Sequence, residues 1–179
     1  MDSSQLEFAS QNDPFISNYK PEVILLSELD YFKPHKIYFI LMGGREREGR
    51  DRNGKRQEVH GHWILVETVI LSRLGYYDPL AFKCPKSLLK KVINYCEQFK
   101  SKFYMNKTIV QLPYSSICGP IVLFVAMLLS RPGNSYKNVN KVKMNHSLKF
   151  IAKVLPTFIS YFLPKGHKKL DRFSLDFIM

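Results

Sequence analysis

Four residues have the types and positions that nucleophilic attack on a carbonyl requires. Cys118 follows the polar pair Ser115-Ser116, precedes Gly119 and opens an apolar run. A cysteine in the first turn of a helix faces the positive end of the helix dipole, which favours the thiolate. Gly119 leaves room for a substrate backbone, and Pro120 is tolerated because first-turn amides have no intrahelical partner. His62, in Gly61-His62-Trp63, supplies an imidazole able to take the thiol proton near neutral pH. His60 is spaced two residues from it and so shares its strand face. Trp63, whose indole can hold an imidazole against a sheet edge, favours His62 over that neighbour. Asp78, ahead of Pro79, can fix the imidazole through its second nitrogen, with Glu67 as the weaker acid. Gln111 lies seven positions before Cys118 and can join the Cys118 backbone N–H in an oxyanion hole. Taken singly, each has a plainer role: a small buried thiol, an ordinary histidine, a turn aspartate before proline, a surface glutamine. Their joint order, His then Asp then Gln then Cys, each at a strand end or helix start, is hard to obtain by accident.

Those positions presuppose elements that deliver them. The pattern predicts a short helix over residues 21–32 and a continuous apolar strand over 36–42, buried on both faces. Further strands are predicted over 62–71, 75–80 and 108–112. Residues 86–104 read as an amphipathic helix with Leu89, Val92, Ile93, Cys96, Phe99 and Phe103 on its apolar stripe. Residues 118–129 read as a helix apolar all round, and 145–163 as an amphipathic helix divided by Pro156. Residues 1–14 are expected to form a loose leader, and 43–58, which carry the Asn53-Gly54 turn signal, an exposed charged loop. The expected fold is α+β in one domain over 1–179, a central mostly antiparallel sheet with helices packed around it and a buried helix starting at Cys118.

Composition narrows the partners. The 179 residues are 45% hydrophobic and 23% charged, a globular balance. The formal charge is +12. Residues 1–85 hold 11 basic and 12 acidic side chains, and residues 86–179 hold 16 and 3, so the whole excess lies in the second half. Such a half suits a polyanion. Lys137, Lys141, Lys143, Lys149 and Lys153, interspersed with Tyr136, Asn138, Asn140 and Asn145, are the candidate DNA-binding face, and a solubilising surface is the plainer reading. No base-reading motif is present. Cys84, Cys96 and Cys118 are an odd, sparse set that makes no disulfide framework, which points to a reducing compartment. No metal site is expected. The longest apolar stretch, 117–129, is 13 residues against the roughly 20 a membrane span needs. Residues 1–13 lack the pattern of a secretory signal. A soluble, intracellular monomer is the expectation.

On these residues the sequence resembles the adenovirus-type cysteine proteases, the adenains, which are related to the SUMO- and NEDD8-specific proteases. The resemblance is carried by G-H-W at 61–63, Y-Y-D-P at 76–79 and V-Q-L-P-Y-S-S-I-C-G at 110–119, within roughly residues 35–130. Six residues between Gln111 and Cys118 match the viral spacing, where cellular relatives generally have one fewer. The Gly-Arg-Glu ahead of His62 is also similar to the viral pattern. The resemblance implies that Cys118 is the nucleophile, His62 the general base and acid, Asp78 its orienter, Gln111 an oxyanion donor and Trp63 an aromatic neighbour of the site. It implies peptide-bond hydrolysis through an acyl-enzyme, with no cofactor needed for the chemistry. It further implies viral precursor proteins as substrates, cut after small-residue motifs containing Gly. DNA and a short viral peptide would be activators, and the virion and host-cell nucleus the location. Two departures stand out: Asp78 occupies a position where adenovirus enzymes carry Glu and cellular relatives Asp, and Pro120 follows the Cys-Gly pair. Neither Cys84 nor Cys96 sits in a motif matching the cysteine that binds the activating peptide. Removal of ubiquitin or a ubiquitin-like modifier is the nearest rival function. A non-enzymatic basic nucleic-acid-binding protein is the other.

Overall fold

In the computed structural model the described residues are 1–43, 61–111 and 117–132. Helix α1 (Ser3–Asn12) leads into a 3₁₀ turn at Ser17–Tyr19, and the strands follow as β1 (Glu22–Leu25), β2 (Ile37–Met42), β3 (His62–Glu67) and β4 (Arg73–Tyr77). Helix α2 (Lys86–Phe99), strand β5 (Lys102–Met105) and helix α3 (Cys118–Ser130) complete the described elements. The five strands form one sheet in chain order. Its two central pairings, β2–β3 and β3–β4, are antiparallel, and the two outer ones, β1–β2 and β4–β5, are parallel. The α+β class holds, with a sheet that is mixed rather than mostly antiparallel.

Alternation along the strands explains why they read as unbroken apolar runs. Ile37, Phe39, Trp63 and Leu65 face one layer, together with Leu6 and Ala9 of α1 and most of α3. Tyr38, Ile40, Ile64, Val66, Leu74 and Tyr76 face the other, against Leu88, Val92 and Tyr95 of α2. A sheet covered by helices on both faces has no polar side to show. Helix α3 is buried along nearly its whole length, as an all-round apolar helix must be. Among the described residues no helix is long and apolar enough to cross a membrane.

The structure corrects several expectations. Residues 1–14 are no loose leader. Asp2 accepts the backbone N–H of Gln5 at 2.8 Å while the Gln5 side chain accepts the N–H of Asp2 at 3.1 Å, a capping box that starts α1. Leu6 is fully buried, and the buried Asp13 carboxylate accepts from the N–H groups of Phe15 and Ile16. The helix expected at 21–32 is a strand, a turn and an extended segment. Its Val-Ile-Leu run pairs with Phe39 to Leu41, which suits the β-branched Val23 and Ile24 better than a helix does. The strand expected at 62–71 ends at Glu67, and the chain turns to start β4 at Arg73. The expected 86–104 helix stops at Phe99, where Lys100 adopts a left-handed conformation (φ 50°) and β5 begins two residues on. Its inward face is Leu88, Val92 and Tyr95, whereas Ile93 is exposed. Residues 108–110 are not a strand, although Val110 donates to the Pro79 carbonyl. The expected loop beyond Gly43, the helix at 145–163 and all five candidate DNA-binding lysines lie outside the described residues.

Candidate active site

Antiparallel pairing of β3 with β4 puts the first residue of one strand beside the end of the next. His62 opens β3, and Asp78 directly follows β4. Gly61 lets this edge close, since a Cβ there would lie 2.4 Å from Leu41 Cδ1. Helix α3 packs on β3 and brings its first residue, Cys118, to the same end of the sheet.

His62 Nε2 and Asp78 Oδ1 are 2.8 Å apart, with Asp78 fully buried and the imidazole partly exposed. That leaves Nδ1 free of Asp78 to serve the thiol of Cys118, which opens α3 at the same end of the sheet. Burial works against charge on both groups, but their neighbours outweigh it. The Cys118 thiol is held below its ordinary value by His62 and nearby backbone N–H groups. His62 is pushed up to about 9 against the effect of burial, by its hydrogen bond to Asp78 and by Cys118. The two shifts run in the direction that favours a thiolate–imidazolium pair. Cys84 is different: burial alone pushes its thiol up to about 11, and burial raises Cys96 as well.

The remaining expected site residues are placed as follows. Trp63 of β3 is buried in the core layer it shares with α1 and α3, and its indole N–H donates to the Met1 carbonyl at 3.2 Å. Gly119 packs against the same two residues: a Cβ there would lie 2.9 Å from Met1 Cβ and 3.3 Å from Trp63 Cδ1. The room that glycine makes is therefore filled by the head of α1 and the indole. Gln111 is buried, and its backbone N–H donates to the Pro79 carbonyl at 3.1 Å, so its main chain is tied to the turn that carries Asp78. Residues 112–116, which join it to α3, lie outside the described residues. Glu67 is not part of the site. It is buried at the far end of β3, where it pairs with Arg73 at 2.8 Å and accepts the Val69 N–H.

One buried residue that sequence reasoning did not single out touches the site. Asn106, directly after β5, exchanges hydrogen bonds with the main chain of Asp78 in both directions. Among the described residues no cluster of His, Cys, Asp and Glu is arranged to hold a metal ion.

No family profile matches the sequence, and no curated protein matches it. Solved structures do match. The chain superposes on the ASFV pS273R protease with a TM-score of 0.50 at 12% sequence identity, over 80% of this chain and 64% of that one. A selenomethionine crystal structure of the same protease matches with a TM-score of 0.49 at 14% identity, over 90% of this chain and 57% of that one. The chain therefore spans somewhat under two thirds of that protease's length. At this identity the likeness establishes a fold shared with that protease, and it does not single out the adenains.

Proposed function

We propose that the chain is a cysteine endopeptidase that cuts viral precursor proteins, with Cys118 as nucleophile, His62 as proton carrier and Asp78 as the acid that holds it. The observation that carries this reading is the 2.8 Å pairing of His62 with Asp78 at the end of the sheet to which α3 brings its first residue, Cys118. The viral protease fold and the sequence resemblance support it independently.

The chemistry is an acyl transfer in two halves. The Cys118 thiolate attacks the scissile carbonyl carbon, and the carbonyl oxygen takes the negative charge. The backbone N–H of Cys118 and the side chain of Gln111 are the donors assigned to that oxygen. As the tetrahedral adduct collapses, the C–N bond breaks and the departing amine takes the proton from His62. The neutral imidazole then removes a proton from water. The resulting hydroxide attacks the thioester, the peptide acid leaves, and the thiolate–imidazolium pair is restored. Asp78 keeps the ring oriented throughout and stabilises its cationic state. The basic second half supports DNA as an activator of this activity, with a viral peptide as a further candidate and the virion and host nucleus as the setting. Asp78, the acid found in the cellular relatives, favours a second reading in which the substrate is a ubiquitin-like fusion.

The test pairs labelling with turnover. A limiting thiol alkylator applied across pH 5 to 9 should modify Cys118 far faster than Cys84 or Cys96 at pH 6–7. His62→Ala should abolish that selectivity, and Cys118→Ala should abolish cleavage of viral precursor peptides. Labelling of Cys118 at an ordinary thiol pH, with or without added DNA and peptide, would overturn the reading. Turnover of ubiquitin-like fusions and not of precursor peptides would move it to the second substrate class.

A further inference from the structure

We infer that Asn106 is a positioning residue that holds the main chain of Asp78 and thereby aims its carboxylate at His62. The catalytic consequence rests on the protease reading, whereas the positioning itself does not. The parallel ladder between β4 and β5 ends with Tyr76 opposite Met105. Two residues past Tyr76 the chain reaches Asp78 and then Pro79, which has no N–H to continue a ladder. Asn106 takes over at that point with its side chain. Its Oδ1 accepts the Asp78 N–H at 2.8 Å, and its Nδ2 donates to the Asp78 carbonyl at 2.7 Å. A carboxamide offers the same donor and acceptor as a peptide group, so it extends the pairing by one residue where the backbone does not. The same Nδ2 reaches the Thr108 carbonyl at 3.2 Å, and the Asn106 backbone N–H donates to the Tyr76 carbonyl at 3.3 Å. With Val110 and Gln111 both donating to the Pro79 carbonyl, residues 106–111 are stitched to residues 76–79.

The clamp has a specific object. Asp78 Oδ1 already serves two donors, His62 Nε2 at 2.8 Å and the Leu80 N–H at 2.7 Å. Both contacts depend on where the Asp78 backbone sits, and a small rotation there moves the carboxylate off the ring. Asn106 is 2% exposed, so its amide contacts with Asp78 are made away from bulk water. Aspartate in its place lacks the donor, and leucine lacks both functions. The adjacent bond from the Gln111 N–H to the Pro79 carbonyl ties the Gln111 main chain to the same turn.

The measurement is the His62 titration, followed by NMR of the full chain with the imidazole signals assigned from His62→Gln. Asn106→Ala should lower the His62 midpoint by about 1 pH unit or more, as expected when an ion-pair partner is lost. It should also lower kcat at least tenfold while KM changes by less than about twofold, since substrate contacts are untouched. Should Asn106→Ala fail to fold, Asn106→Ser, whose hydroxyl cannot span both Asp78 partners, carries the same expectation. A lower melting temperature with an unchanged His62 midpoint would make Asn106 a structural staple and overturn the inference. If no peptide is hydrolysed by the wild type, the protease reading fails, and the His62 midpoint still decides the role of Asn106.

Discussion

Burial of the His62 imidazole favours its neutral form, while the Asp78 carboxylate at 2.8 Å and the neighbouring Cys118 favour the cation, and the cation wins up to a pH of about 9. The reactive pair therefore exists between the lowered titration of the thiol and that of the imidazole, two steps that belong to the pair as a whole. Rates of peptide hydrolysis should rise through an acid limb as Cys118 ionises and fall again near pH 9 as His62 loses its proton. Asp78→Asn removes the charge that holds the proton, so the alkaline limb should move down by about 1–3 pH units. A stopped-time pH profile checks this, and an unmoved limb would remove Asp78 from the site. Gln111→Ala should cost on the order of 10²–10³ in kcat as an oxyanion donor, and full activity would exclude it. His62, Asp78 and Cys118 were legible because each stands beside a mark that locates an element end: a Gly-His-Trp entry, an Asp-Pro exit, a Cys-Gly helix start. Asn106 carries no such mark. A single Asn after an aromatic strand looks like any turn residue, and only the failing ladder at Pro79 gives it work.

At the scale of elements, α1 decides whether the site has a roof. Its Leu6 enters the same core layer as Trp63 and α3, and Met1 at its head meets the indole and Gly119. Leu6→Ala should destabilise the fold by about 2–5 kcal/mol, the range for emptying a fully buried leucine site, and urea unfolding would read it. A loss below about 0.5 kcal/mol, as for a surface substitution, would mean that the helix is dispensable to the core. The helix was hidden in the sequence because only Leu6, Ala9 and Ser10 are buried, too few to print a 3.6-residue period. The Asp-x-x-Gln box is the one local mark of a helix start there. The β1 segment failed for the opposite reason. Four consecutive apolar residues at 23–26 fit any period, and pairing with β2 settles their state. The helices α2 and α3 were legible because length, charge placement and uniform burial each left one reading open.

For the whole molecule the argument is electrostatic and independent of the fold. Residues 86–179 carry 16 basic against 3 acidic side chains, and basic groups that neutralise phosphates release counterions from a nucleic-acid backbone. Binding to duplex DNA should therefore weaken steeply with salt and depend little on sequence. If Lys141, Lys143 and Lys149 each neutralise a phosphate, changing all three to Gln should reduce the slope of log K against log salt by about 2–3. The same variant should lose stimulation by DNA, because activator and enzyme no longer meet, while hydrolysis of a short peptide without DNA stays at the wild-type rate. Fluorescence anisotropy at several salt concentrations gives the slope, and a peptide assay with and without DNA gives the stimulation. A reduced slope with intact stimulation would separate binding from activation. An unchanged slope would place the binding face among the other basic residues of this half, of which Lys86, Lys90 and Lys91 at the start of α2 are the next to substitute.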